Sequence, residues 1–181
     1  MNHALKTDRL SLLPLKESDT DFMRELLTRP ESYRYESEKA KTSDEIIKEC
    51  LWYREGFNAL PNEGAIRWVV KNNGAKIGEI HVRCNWEQTS EWEIGWYFLS
   101  EYWGNGFATE AVKAAIRHIF SCLKINRLAA FLNAENRRSA ALAKRVGMFE
   151  DGRMREVRYM NGIYYDEYVF SILKREYNLS L

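Results

Sequence analysis

Residues 91–120, EWEIGWYFLSEYWGNGFATEAVKAAIRHIF, limit the fold more than any other part of the chain. EWEIGWYFL is apolar at nearly every position past Glu93, the pattern of a strand covered on both faces. Ala108, Ala111, Val112, Ala115, Ile116, Ile119, Phe120 and Leu123 then recur at helical spacing, so a long amphipathic helix follows with almost no spacer. A buried strand feeding such a helix demands a sheet with helices packed on it. Between the two lies YWGNGFA, where Gly104 and Gly106 bare the backbone at the head of the helix. Unpaired N–H groups and the positive end of the helix dipole converge there, which makes the turn a candidate anion site. The common phosphate fingerprints are absent. There is no G-x-x-x-x-G-K-[ST], and Thr109 stands where G-x-G-x-x-G requires its third glycine, which argues against NTPase and dinucleotide-binding readings.

The remaining elements follow from local signals. LSLLPL (Leu10 to Leu15) is a first strand, and Ser18 or Asp19 caps a short helix with apolar Phe22, Met23, Leu26 and Leu27. Thr42 and Glu45 form a capping box before a second helix that ends near Gly56. IRWVVK and KIGEIHVRC, joined by NNGA, are a hairpin, and Gly95 of the following strand marks a bulge or the close approach of another backbone. After the long helix come a strand NRLAAFLN, a shorter helix closed by Gly147, and a hairpin of REVRY and YYDEYVFSIL turning at Met160 to Gly162. The expected architecture is α+β, a mixed α/β sheet.

With 181 residues, the chain is read as one domain over 1–181. Lys and Arg number 27 against 26 Asp and Glu, so no global field recruits nucleic acid or an acidic membrane. The start, MNHALKTDRL, lacks the apolar run of a signal peptide, and a soluble cytoplasmic protein is expected. Cys50, Cys84 and Cys122 are scattered and read as buried thiols; His3, His81 and His118 are unclustered, so neither a disulfide framework nor a metal site is expected.

Taken with the rest of the chain, EIGWYFLSEYWGNGFATEAV resembles the acetyl-CoA binding segment of the GNAT N-acetyltransferase superfamily, with its Q/R-x-x-G-x-G/A turn. Trp103, Gly106 and Ala108 fall on the marked positions, Trp103 departing from the usual Gln or Arg. YWGNGFATEA is similar to the RimJ/RimL-like branch that acetylates N-terminal amines of ribosomal proteins. TDRLSLLPLKESD, ENRRSAALAKRVGMFEDG and NGIYYDEYVFSILKREY carry the resemblance to both ends. It implies a mostly antiparallel twisted sheet with a splayed parallel strand pair, flanked by about four helices.

The resemblance also implies acetyl-CoA as co-substrate. The pyrophosphate would lie on backbone N–H groups among Gly104, Asn105, Gly106, Phe107, Ala108 and Thr109. Trp96, Tyr97 and Phe98 would offer backbone to the pantetheine arm where the strand splays from NRLAAFLN, aided by Gly95. Asn136 would bond the pantetheine, and Arg145, with Arg137, Arg138 and Lys144, would meet the 3′-phosphate. Amine acetylation needs a base, an oxyanion donor and an acid for the thiolate. Glu93 is the candidate base, or else an end-of-strand partner for a basic neighbour. A backbone N–H near Tyr97 or Phe98 is the oxyanion donor. The Tyr that many members carry as acid is here Ala143; Ser139 replaces it, or is a plain helix cap.

The early helices, the strand with His81 and Arg83, and the last hairpin would form the acceptor pocket. Rings such as Tyr33, Tyr35, Trp52, Tyr53, Trp68, Trp86, Tyr159, Tyr164 and Tyr165 would be available to an ammonium. The acceptor is a protein N terminus, with a small amine, or a coenzyme-binding domain without turnover, as alternatives. A homodimer is a further expectation.

Overall fold

The computed structural model describes residues 3–36, 39–57 and 64–179. Eight strands make one sheet: β1 (Leu5–Lys6), β2 (Leu10–Pro14), β3 (Ala65–Asn72), β4 (Ala75–Trp86), β5 (Glu91–Phe98), β6 (Arg127–Asn133), β7 (Phe149–Met160) and β8 (Ile163–Leu173). Six helices accompany them: α1 (Thr20–Thr28), α2 (Pro30–Tyr33), α3 (Ser43–Gly56), α4 (Phe107–Cys122), α5 (Arg137–Arg145) and α6 (Lys174–Leu179). Strand order is β1-β2-β3-β4-β5-β6-β8-β7. Every neighbouring pair is antiparallel except β5 and β6.

Alternation along the strands divides the side chains between two layers. Trp92, Ile94 and Phe98 of β5 join Trp68, Ile80, Val82, Leu128, Ala130 and Phe170 beneath α4, whose Ala111, Val112, Ala115, Ile116, Ile119 and Phe120 are all buried. Leu142 and Ala143 of α5 complete this layer. On the opposite face, Val69 and Leu99 pack with Phe22, Met23, Leu26 and Leu27 of α1 and with Ile46, Cys50 and Tyr53 of α3. The helices therefore sandwich the sheet, as the α+β expectation required.

The local signals have visible causes. Thr42 Oγ1 accepts the Glu45 N–H while Glu45 accepts the Thr42 N–H at 2.7 Å, which closes the capping box of α3. The β3–β4 hairpin turns at Asn73 and Gly74, and β7–β8 at Asn161 and Gly162, all with positive φ. Three short elements, β1, α2 and α6, and the first half of β7 go beyond the sequence reading. Two expectations need correction. Cys84 and Cys122 are only half-buried, and His3 and His118, 115 residues apart, are in contact, with Nδ1 and Nε2 at 2.8 Å.

Candidate active site

Parallel pairing between β5 and β6 covers only Glu91↔Arg127, Trp92↔Leu128 and Glu93↔Ala129. Beyond Glu93 the two strands part, as the splayed pair was expected to. The Leu99 N–H donates to the Ile77 carbonyl at 3.0 Å. With the register Glu79↔Tyr97 and His81↔Gly95, the odd-numbered residues of β5 bond to β4, whereas Ile94, Trp96 and Phe98 turn their N–H and C=O groups toward the gap. The Tyr97 N–H thus belongs to the β4 ladder. Of the two backbone candidates for an oxyanion donor, Phe98 is the one that faces the gap. The Phe98 carbonyl is already taken, accepting the Trp103 Nε1–H at 2.9 Å.

At the end of β5 the chain makes a short 3-10 turn, Ser100–Tyr102, and enters the glycine turn. Gly104 and Gly106 have φ of +79° and +77°, the left-handed region in which an L side chain is strained. Gly106 caps α4 with no side chain serving the first-turn N–H groups. Nothing lies within 4 Å of where a Gly104 Cβ would stand. This is a bare cradle of donors, and cations surround it. Arg9 donates to the Asn105 carbonyl at 3.0 Å and its guanidinium lies 4.7 Å from the Phe107 ring, but its charge is paired with Glu110 of the first turn at 2.7 Å, so among the described residues the unpaired cations here come from α5. Arg138 of α5 stacks on Trp103 at 4.4 Å. Arg145 Nε lies 3.4 Å from Thr109 Oγ1, while Lys144 is drawn off to Glu150. The positive charge missing at position 103 is thus brought to the same place by Arg138. A donor-rich turn ringed by guanidinium groups fits a pyrophosphate and a further phosphate.

The capping role weighed for Ser139 falls to Asn136. Asn136 caps α5, its Oδ1 accepting the Ser139 N–H at 3.2 Å. Ser139 is therefore not the cap, and its hydroxyl accepts the Trp96 indole N–H at 3.4 Å across the gap. Ala143 is fully buried in the core.

The other face of β5 carries Glu93, Gly95 and Tyr97. Glu93 Oε2 receives both Nε and Nη2 of Arg83, at 3.2 and 2.8 Å, so the basic neighbour exists. His81 lies over Gly95: a Cβ there would meet its Nε2 at 2.4 Å. The glycine is required by this ring, a side chain rather than another backbone. The imidazole stacks on Tyr97 with centroids 6.1 Å apart and meets Tyr53 edge-on at 5.7 Å. Burial pushes the Tyr53 and Tyr97 phenols up, which holds both neutral. Beneath them Arg67 is buried among Glu49, Glu79 and the Tyr53 ring. Arg158 of β7 spans Glu167 of β8 and Glu36, joining the last hairpin to the segment after α2. Burial and the Glu167 charge raise the Glu36 pKa, against the attraction of Arg158. Among the expected acceptor rings, Trp68 is core, donating to the His3 carbonyl, whereas Trp52, Trp86, Tyr159 and Tyr164 are exposed. Among the described residues no group of His, Cys, Asp or Glu could hold a metal ion, and no helix is long and apolar enough to cross a membrane.

A splayed parallel pair with a bare turn and helix at its mouth defines the class of acyl-CoA-dependent acyltransferases. Residues 9–149 match the family model described as acetyltransferase (GNAT) domain, and the chain belongs to that family of acetyl-CoA-dependent N-acetyltransferases. It is 31% identical over 173 residues to the uncharacterized N-acetyltransferase YoaA of Bacillus subtilis (strain 168), covering 94% of this chain and 96% of that protein. The fold is shared with RimL, a ribosomal L7/L12 alpha-N-protein acetyltransferase solved with coenzyme A (TM-score 0.83, 17% identity, 94% of this chain and 98% of the other). It is shared equally with spermidine N-acetyltransferase from Vibrio cholerae solved with CoA and spermine (TM-score 0.82, 22% identity, 95% and 99%).

Proposed function

We propose that this acetyltransferase acts on the free amine of a peptide N terminus, as in the modification of ribosomal proteins, rather than on a polyamine. The observation that carries the reading is the charge balance of the face bearing His81. Glu93 is held by Arg83, Glu79 by Arg67, Glu49 by Arg67 and Lys41, and Glu36 and Glu167 by Arg158, five carboxylates against four cations and so an excess of one negative charge. A polyamine carries several positive charges and needs a larger surplus of carboxylates; a peptide terminus carries one, which a single excess charge matches, and brings a neutral backbone. The exposed rings of Tyr159 and Tyr164 on the β7–β8 hairpin offer that backbone a surface.

Acetyl-CoA supplies the acetyl group as a thioester. The N–H groups from Gly104 to Thr109 hold its pyrophosphate, and Arg138 and Arg145 meet the remaining phosphate charge. The backbone of Trp96 and Phe98 orders the pantetheine arm, with Asn136 holding the start of α5 beside it. The Phe98 N–H faces the oxyanion as the amine attacks, and Ser139 returns a proton to the departing thiolate. The amine approaches from the face of Glu93, His81 and Tyr97.

An acceptor panel read by thiol release tests this. Peptides with free N termini should saturate at lower concentration than spermidine or spermine. Saturation by one small amine at low concentration, with peptides inert, would refute the peptide reading.

A further inference from the structure

We infer that His81 is the catalytic base for the acceptor amine and that Glu79 is its positioning residue, so that the proton leaves the amine through an imidazole held across Gly95. This rests on the acetyl-transfer reading but not on which amine is the acceptor.

The geometry has three parts. Glu79 is fully buried, and one of its carboxylate oxygens lies 2.9 Å from His81 Nδ1. A carboxylate only accepts, so Nδ1 carries the hydrogen and Nε2 keeps its lone pair. Nε2 makes no hydrogen bond to any described residue, and its edge of the ring lies on Gly95, two residues past the last β5–β6 rung. The third part is rigidity. The Arg67 guanidinium of β3 stands 3.2 Å from the other Glu79 oxygen as an ion-pair partner without a hydrogen bond, Tyr53 of α3 and Tyr97 of β5 clamp the ring, and the imidazole keeps 13% exposure through which a proton can leave. Glu93, the candidate read from sequence, lies on the same face, but one of its oxygens receives both Arg83 nitrogens.

The step balances simply. The acceptor ammonium gives a proton to Nε2, and the imidazolium is stabilised by Glu79. The neutral nitrogen attacks the thioester carbon, the C–N bond forms and the C–S bond breaks. The acetylated nitrogen sheds its second proton as the C–S bond breaks; the thiolate takes the Ser139 proton while that second proton, relayed through solvent, restores the Ser139 hydroxyl, and His81 releases the first proton to solvent. The charged and titratable groups facing the ring are Glu79 on β4, Arg67 on β3, Tyr53 on α3, Tyr97 on β5 and Glu36 after α2, with the Arg83–Glu93 pair beyond.

The test compares H81Q, E79Q and E93Q with the unmodified protein over a pH series, with a peptide and a small amine as acceptors and coenzyme A affinity as the control for folding. H81Q should lose on the order of 10²–10⁴-fold in kcat and the acidic limb of its profile, with coenzyme affinity unchanged. E79Q should keep turnover at about a tenth and displace that limb, while E93Q keeps it in place. If H81Q fails to bind coenzyme A, H81N, which keeps a hydrogen-bonding group near Nδ1, decides instead. Turnover by H81Q or H81N within about threefold of the unmodified protein, or an acidic limb that these variants leave in place, overturns the assignment. An unmodified protein inert on every amine would instead defeat the acetyl-transfer reading itself.

Discussion

The Trp96 indole N–H reaches the Ser139 hydroxyl at 3.4 Å, from β5 to α5, across the gap that the parallel strands leave open. The contact fixes the hydroxyl of a residue that cannot be a helix cap, because Asn136 already serves the α5 N terminus. A long, half-buried neutral bond contributes only about 1 kcal/mol or less to stability, so its value lies in aiming the hydroxyl. Ser139→Ala should lower kcat by at least about tenfold and leave the fold and coenzyme affinity intact. Single-turnover thiol release would measure it; a change confined to coenzyme KM would assign Ser139 to binding instead.

The two turn glycines separate strain from contact. Gly104→Ala meets open space and should cost only about 1–2 kcal/mol of left-handed strain. Gly106→Val carries more of that strain, since a β-branched residue fits the left-handed region worse than Ala, and also brings a side chain toward Arg9, whose Nη2 lies 3.5 Å from the Cβ position. We expect coenzyme affinity to fall at least about tenfold for Gly106→Val and much less for Gly104→Ala. Calorimetry on the two folded variants gives both numbers, and unchanged affinity for Gly106→Val would remove the phosphate cradle.

Stability should decline with acid in two stages. Burial lowers the pKa of His3 and of His118 below the ordinary 6.5. The unfolded chain therefore binds these protons first, and the stability the neutral pair gives is complete above pH 6.5 and drains away below it. Burial raises Glu49, but Arg67 and Lys41 outweigh it and hold the carboxyl down at about 2 from the usual 4.5. Its contribution is present above pH 4.5 and is lost between there and about 2. Urea midpoints at stepped pH should show both stages, and His118→Gln should flatten the first alone.

Arg67, its own side chain 1% exposed, pairs with half-buried Glu49 and fully buried Glu79. Arg67→Met keeps much of the volume but leaves buried Glu79 without its cation and Glu49 with Lys41 alone, a change that costs about 3–5 kcal/mol. Pairing Arg67→Met with Glu79→Gln should recover part of that loss in equilibrium unfolding. Strict additivity would mean that the pair is not coupled.

Much of this was legible wherever a signal is local. The Thr42 and Glu45 box, the glycine-bearing hairpin turns and the spacing of Ala111 to Phe120 each act within a few residues, and each element formed as read. The first half of β7 escaped because it is an exposed edge with no apolar alternation from Phe149 to Met154. The helices α2 and α6 span 4 and 6 residues, too short for a periodic stripe to develop. In the candidate site, the glycine turn and Ser139 were read from motif, whereas the pairing of His3 with His118 joins residues that only the tertiary fold brings together. Glu79 and His81 did leave a trace: they stand two apart on one strand, hence on one face, opposite a glycine in the next strand. The trace names neighbours, and only packing shows which of them touch.

Three rungs between β5 and β6 join β1–β5 to β6–β8. Mechanically the sheet is two stiff plates welded along a short seam, with α4 and α5 as braces. A coenzyme lying between the plates acts as a strut as well as a reactant. Saturation at a hundred times Kd adds about 2.7 kcal/mol to the assembled state. Amide exchange in Trp96, Phe98 and the facing end of β6 should slow most when the strut is in place.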